Sequence, residues 1–258
     1  MEPKIFSTSV AGKTLTAEFT TLAERAHGSC LVRFGDSAVL ATAVMGSEKP
    51  GTDFVPLTVD YEEKFYAAGA ILGSRFLRRE GRPSDHAILS ARAIDRTLRP
   101  LFPKSLRREV QVILTVLAVG EDDPDMLSVI AASIALGTSP IPWNGPISAV
   151  RVSGENFNPT YKEREGATFD LFVCGTGETI TMVEMSGQEI GEERIASALE
   201  RALPELAKLQ EFQGGIVREM GKEKIALVEK SFSPALAELF NTFTSELQSV
   251  LFEKEREE

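Results

Sequence analysis

The chain reads as an α+β protein: antiparallel strands first, then a central buried helix, then more strands, and finally helices. Three observations carry this. Leu15, Ala17 and Phe19 alternate with polar residues, and the apolar runs 30–34 and 39–45 flank Gly35-Asp36-Ser37 as the arms of a hairpin. Residues 110–119 are nearly all apolar or β-branched, the mark of a strand buried on both faces. Apolar spacing turns helical only in the middle of the chain and again from Gly191. Strands grouped in this way do not make a doubly wound sheet.

In order along the chain, the hairpin is followed by a loop over 46–53 with Pro50-Gly51 and a strand over 55–61. Gly69, Gly73, Gly81 and Pro83 bound a loop over 76–81. Ser84 stands where an N-cap belongs, with Asp85 in the first turn, and Ile88, Leu89, Ala91, Ile94 and Leu98 recur at helical spacing. Glu121-Asp122-Asp123-Pro124-Asp125 ends the apolar strand and caps a helix over 126–136. Pro140, Pro142, Gly145 and Pro146 mark a loop, and strands follow over 147–152, 168–174 and 178–185. Ile195, Leu199, Ala202, Leu206 and Leu209 form one helical face that Pro204 is expected to kink or split. Gly214-Gly215 reads as a boundary, which gives a first domain over 1–213 and a linker with helices over 214–258.

A hydrophobic content of 43% and a charged content of 26% are those of an ordinary globular protein. The opening Met1-Glu2-Pro3-Lys4-Ile5-Phe6 has no signal-peptide pattern, and no apolar run reaches spanning length, so no membrane segment is expected. Cys30 and Cys174 fall in strands and read as reduced core thiols of a cytoplasmic protein. His27 and His86 are the only histidines, too few for a His/Cys metal cluster or a Cys–His catalytic pair. Asp122, Asp123 and Asp125 suit Mg²⁺ chemically, but acidic residues before a helix more often complement its dipole, and no metal site is assigned. Gly175-Thr176-Gly177 has no third glycine and runs on into a strand, so it is a turn and not a cofactor loop.

The net charge is −10, yet residues 75–108 carry ten Lys/Arg against Glu80, Asp85 and Asp95, a local charge of +7. A basic island on an acidic chain is the footprint of a polyanion site, and its arginines favour bidentate contact with phosphates. Phe76, Arg78, Arg79 and Arg82 lie on the loop, and Arg92, Arg96 and Arg99 share one helix face. Asp95 could instead pair with Arg92 and Arg99 on the helix surface.

Asp53-Phe54-Val55-Pro56-Leu57-Thr58-Val59-Asp60-Tyr61, Tyr66-Ala67-Ala68-Gly69, Phe76-Leu77-Arg78-Arg79-Glu80-Gly81-Arg82-Pro83, Ile94-Asp95-Arg96, Leu98-Arg99-Pro100-Leu101-Phe102-Pro103 and Asn144-Gly145-Pro146-Ile147 stand in this order. Together they resemble the first RNase PH-like domain of the bacterial polynucleotide phosphorylases, over nearly everything to about residue 213. The helices beyond look like the start of the all-helical domain that follows it in that family. The resemblance implies an RNase PH-like fold, related to a ribosomal-protein domain, and a homotrimeric ring. It implies degradation of single-stranded RNA from the 3′ end, with inorganic phosphate attacking the terminal phosphodiester, Mg²⁺ assisting and nucleoside diphosphates released.

In that family the chemistry belongs to a second RNase PH-like domain, followed by KH and OB-type domains; these lie outside this chain. The first domain grips RNA with a loop that Phe76, Arg78, Arg79 and Arg82 match. Leu77 replaces its second aromatic residue, and Arg75 is an insertion. The catalytic repeat has a serine-rich run opening its central helix; the matching stretch 125–130 has one serine, Ser128. Of the repeat's two aspartates and lysine, Asp170 matches the second aspartate, Phe172 stands at the lysine, and the first aspartate has no match. Asp170 is thus the only catalytic candidate, and a weak one. An architectural ring subunit without RNA affinity and a self-sufficient RNase PH-type nuclease remain the alternatives.

Overall fold

The computed structural model describes residues 3–49, 51–71, 73, 81–227 and 234–252. They fall into two compact units, residues 1–226 and 227–258.

The first unit begins with a hairpin of β1 (Lys4–Val10) and β2 (Lys13–Phe19). Ala11 and Gly12 both adopt positive φ, +48° and +78°, the twist that a two-residue hairpin turn demands. β3 (Gly28–Phe34) and β4 (Ser37–Glu48) form the expected second hairpin, and β5 (Leu57–Glu63) and β6 (Arg108–Ala118) complete a six-stranded sheet. Its order is β1-β2-β3-β4-β6-β5, with only the β5–β6 pair parallel. Between β5 and β6 lies α1 (Asp85–Leu98), its backbone capped by Ser84, whose Oγ accepts from the Ala87 N–H at 3.0 Å. A second sheet, ordered β10-β9-β7-β8, is antiparallel and consists of β7 (Ser148–Ser153), β8 (Asn156–Phe157), β9 (Phe169–Gly175) and β10 (Ile180–Gly187).

The helix α2 (Pro124–Thr138) lies in the core, packed on β3, β4 and β6 from one side and on β7 from the other. Every residue of it except Asp125 is buried. It is apolar all round, so it has no surface to offer water. Its small residues allow close approach: a Cβ on Gly28 of β3 would come 2.0 Å from the Ala135 carbonyl, so only glycine fits there. Asp123 caps it, its carboxylate accepting from the Asp125 N–H at 2.9 Å.

Short α3 (Tyr161–Glu165) is held by a Thr160–Glu163 capping box, and α4 (Glu192–Met220) packs its apolar stripe on β7 and α2. Three expectations need correction here. α4 runs unbroken through Pro204 and through Gly214-Gly215, because burial of Ala198, Ala202, Leu206, Leu209 and Ile216 outweighs one lost hydrogen bond and two weak helix formers. The boundary expected after residue 213 is therefore mid-helix, and the compact unit continues to Ala226. Residues 221–227 are irregular, although helix was expected from about Glu223 onward. Lys224 Nζ donates to the carbonyls of Leu136, Gly137 and Ser139 at 2.7–3.0 Å, tying this strap to the C-terminus of α2. β1, β8 and α3 were not anticipated. In the second unit the described element is α5 (Pro234–Phe252).

Candidate nucleic-acid interface

The described part of the basic stretch begins just before α1 and runs through it. Phe76, Arg78 and Arg79, the loop residues expected to grip RNA, lie outside the described residues. Arg82 follows directly, exposed and without a hydrogen bond or ion pair in the described structure. Beside it, a cavity of about 660 Å³ opens between the 3-10 turn Phe65–Ala68 and the first turn of α1, lined by Tyr61, Lys64, Phe65, Gly81, Arg82 and Ser84. Phe65 and Tyr66 are about half exposed on that turn. Glu63 steadies the helix start, accepting from Ser84 Oγ at 3.1 Å and facing His86 Nδ1 at 3.2 Å.

The three helical arginines separate. Arg92 is exposed and has no partner in the described structure. Arg96 is exposed and only 3.6 Å from Glu184. Arg99 is half-buried and engaged: Nε and Nη2 hold Asp95 at 2.9 and 2.6 Å, while Nη1 and Nη2 donate to the carbonyls of Val55 and Leu57. Arg99 staples α1 to the start of β5, and four of its five N–H donors are committed within the protein.

A second cluster was not legible as such. Arg151 on β7 reaches Asp123 at 2.9 Å, Asp125 at 3.4 Å and Asp170 at 2.7 Å. Arg164 on α3 reaches Asp123 at 2.5 Å and Asp170 at 3.0 Å. The Arg151 guanidinium also sits 4.9 Å from the Phe172 ring centroid, a cation–π contact. Burial opposes the Arg151 charge, but Asp123, Asp170 and Asp125 outweigh it and hold the guanidinium protonated. Burial, with the Asp123 charge adding, pushes the Asp125 carboxyl up to about 6. The Tyr61 phenol is pushed up by burial and by Asp125.

The network settles how the acidic run is used. Asp122 pairs with Lys13, and Asp123 and Asp125 with the two arginines. Among the described residues no group of three His, Cys, Asp or Glu side chains could hold a metal ion. The signal for the network was Arg151 itself, a charge inside the apolar strand Ala149-Val150-Arg151-Val152.

A family model described as "3′ exoribonuclease family, domain 1" matches residues 11–142. The chain belongs to the 3′ exoribonuclease, or RNase PH, family. Its similarity to members named polyribonucleotide nucleotidyltransferase is high. It is 49% identical over 226 residues to the one from Thermus thermophilus, covering 86% of this chain and 32% of that protein. It is 43% identical over 251 residues to the one from Clostridioides difficile, covering 95% of this chain and 36% of that protein. The chain thus spans about a third of the length of these curated relatives, which fits the N-terminal part of such an enzyme. Rice Rrp46 has the same fold, with a TM-score of 0.61 at 17% identity over 84% of this chain and 93% of that one. The α+β RNase PH-like fold expected from the motifs is therefore the fold of this chain. Among the described residues no helix is long and apolar enough to cross a membrane.

Proposed function

We propose that this chain is the RNA-binding and ring-building N-terminal part of a phosphate-dependent 3′-to-5′ exoribonuclease that releases nucleoside diphosphates from single-stranded RNA in the cytoplasm. The chemistry lies in a second RNase PH-like domain. The observation that carries this is the Arg151–Arg164 network. It sits where the catalytic repeat keeps its serine run, aspartates and lysine: at the start of α2 and on β9. Asp170 is held by two arginines, Phe172 supports one of them, and Ser128 is fully buried on α2. Three carboxylates already match two guanidinium groups there, which leaves no net positive charge for inorganic phosphate. Among the described residues Asp125 Oδ1 and Asp170 Oδ1 accept no hydrogen bond, but a divalent cation on them would sit against the two guanidinium groups that hold the Oδ2 atoms of the same carboxylates. These residues therefore do not fit Mg²⁺, and its site is proposed outside this chain.

RNA contact is assigned to the loop and helix start: Phe76, Arg78 and Arg79 by their match to the family loop, and Arg82 by its exposure and lack of a partner. Arg99 is withdrawn from the RNA contacts because four of its five donors, and its charge through Asp95, are already engaged within the protein. Arg92 and Arg96 flank the same face as secondary phosphate contacts. The partners proposed are a homotrimeric ring and the second RNase PH-like, KH and OB-type domains of a longer protein.

The test is a binding titration of single-stranded oligonucleotides against salt concentration. Each neutralised phosphate contributes a log–log slope of about −0.7. Arg82→Ala should flatten the slope by roughly that amount for every sequence alike, since phosphates carry no base information. Affinity and slope unchanged in Arg82→Ala and in Arg78→Ala/Arg79→Ala would favour the architectural subunit.

A further inference from the structure

We propose that the groove between β1 and α4 captures an extended peptide, which joins the six-stranded sheet as an added strand beside β1. β1 is an edge strand. In the β1–β2 register, Val10 faces Lys13 across a two-residue turn, so Lys4, Phe6, Thr8 and Val10 bond to β2, while Ile5, Ser7 and Ser9 turn their N–H and C=O groups outward. None of these outward groups has a hydrogen-bond partner among the described residues. Ile5, Ser7 and Ser9 are exposed. The edge from Ile5 to Val10 has no charge, no proline and no bulge, none of the usual devices against strand addition.

The groove beside this edge measures about 520 Å³ and is lined by Phe6, Ser7, Thr8 and Ser9 on one side and by Phe212, Gly215 and Ile216 of α4 on the other. An edge strand with a helix alongside is a recurring peptide-binding arrangement, in which main-chain bonds give affinity and side-chain pockets give specificity. Gly214-Gly215 supplies the second, independent observation. Two adjacent glycines weaken a helix interior, yet the fold itself does not require them. Neither has positive φ, and a Cβ would meet only the Arg218 side chain, at 3.6 Å from Gly214 and 3.9 Å from Gly215. The space over Gly215 opens into the groove, and the use left for it is close approach of another backbone.

The rim selects the occupant. Lys4 pairs with Glu219 and Lys208 with Glu205, leaving Glu211 and Arg218 without ion-pair partners. A fitting segment carries a basic and an acidic residue about 10 Å apart, roughly three residues of extended chain, with small uncharged residues between. The unpaired rim is one acid and one base, Glu211 and Arg218, with no net positive charge to draw a phosphate backbone, so a peptide fits better than RNA.

Selection of displayed random peptides on the intact chain tests this. Enriched peptides should share the base–acid spacing and should slow hydrogen exchange at the Ser7 and Ser9 amides by roughly tenfold or more. Gly215→Phe, which fills the groove, should abolish their binding. Arg218→Glu, at the exposed rim, should switch the preferred acid to a base, so a folding failure of the first variant does not leave the matter open. The proposal is overturned if no peptide is enriched, if enriched peptides bind Gly215→Phe equally, or if exchange at Ser7 and Ser9 is unchanged. It is also overturned if protein concentration alone or an oligoadenylate RNA gives the protection, which would make the occupant a second copy or a nucleic acid.

Discussion

At the scale of single residues, Arg151 is the side chain on which most depends. Three carboxylates and one aromatic ring meet it in a nearly buried place. Removing the cation leaves carboxylates facing each other with only Arg164 between them. Arg151→Met should therefore cost about 3–5 kcal/mol, seen as a large fall in Tm by circular dichroism. A change within about 0.5 kcal/mol would mean that water already solvates the cluster. Asp125 behaves oppositely. Its carboxyl titrates near 6 when folded and near 3.9 when unfolded. Between those values the folded state holds more proton, so this group's contribution to stability falls as pH rises from about 4 to about 6 and stays low above. Asp125→Asn should thus raise the midpoint of urea unfolding at pH 7.5 and change it little at pH 4. The reverse pattern would show that the carboxylate is stabilised by Arg151 more than it is penalised by burial. Much of this cluster was half-legible. Asp170, Phe172 and the stretch opening α2 stood out as departures from a catalytic pattern, but what they had become depended on Arg151 and Arg164, which join them only through tertiary contact.

At the scale of elements, helices and strands with a one-sided or uniform pattern were readable, and those defined by their neighbours were not. α2 shows itself through unbroken apolarity, and α1 through its Ser84 cap. β1 was missed because Ser7, Thr8 and Ser9 give little hydrophobic alternation, and α3 because it is five residues held by a capping box. α4 was expected to break twice because proline and paired glycines are local signals, whereas the packing that keeps it whole is not local. The strap after α4 was read as helix from its charged composition, yet Lys224 works as a cap on another helix. Lys224→Met should leave the Gly137 and Ser139 carbonyls without this donor, Leu136 keeping the Ser139 N–H and hydroxyl, and cost about 1–3 kcal/mol. Hydrogen exchange should speed up first in the last turn of α2 and in residues 221–227. Loss confined to the strap, with α2 unchanged, would mean that Lys224 serves only to seat the strap.

At the scale of the whole molecule, the charge distribution and the buried network both support the proposed division of labour. An acidic chain carries ten of its 28 Lys/Arg within residues 75–108, and Arg151 and Arg164 hold Asp170 in ion pairs. The fold class and the family were legible because long motifs survive in order. The limits of the compact unit were not, since Gly214-Gly215 marks a groove in the fold and no boundary. The ring proposed for the complete protein leads to a solution property: sedimentation should show self-association of this chain at micromolar concentration, and a clean monomer would count against a ring-building role. One measurement bears most directly on the division of labour. Purified chain is bound to a single-stranded RNA, with the salt dependence recorded, and nucleoside diphosphate release is then followed in the same sample with inorganic phosphate and Mg²⁺ present. Salt-sensitive binding without release is the expected result. Sustained release that Asp170→Asn abolishes would contradict it and make this chain a nuclease in its own right.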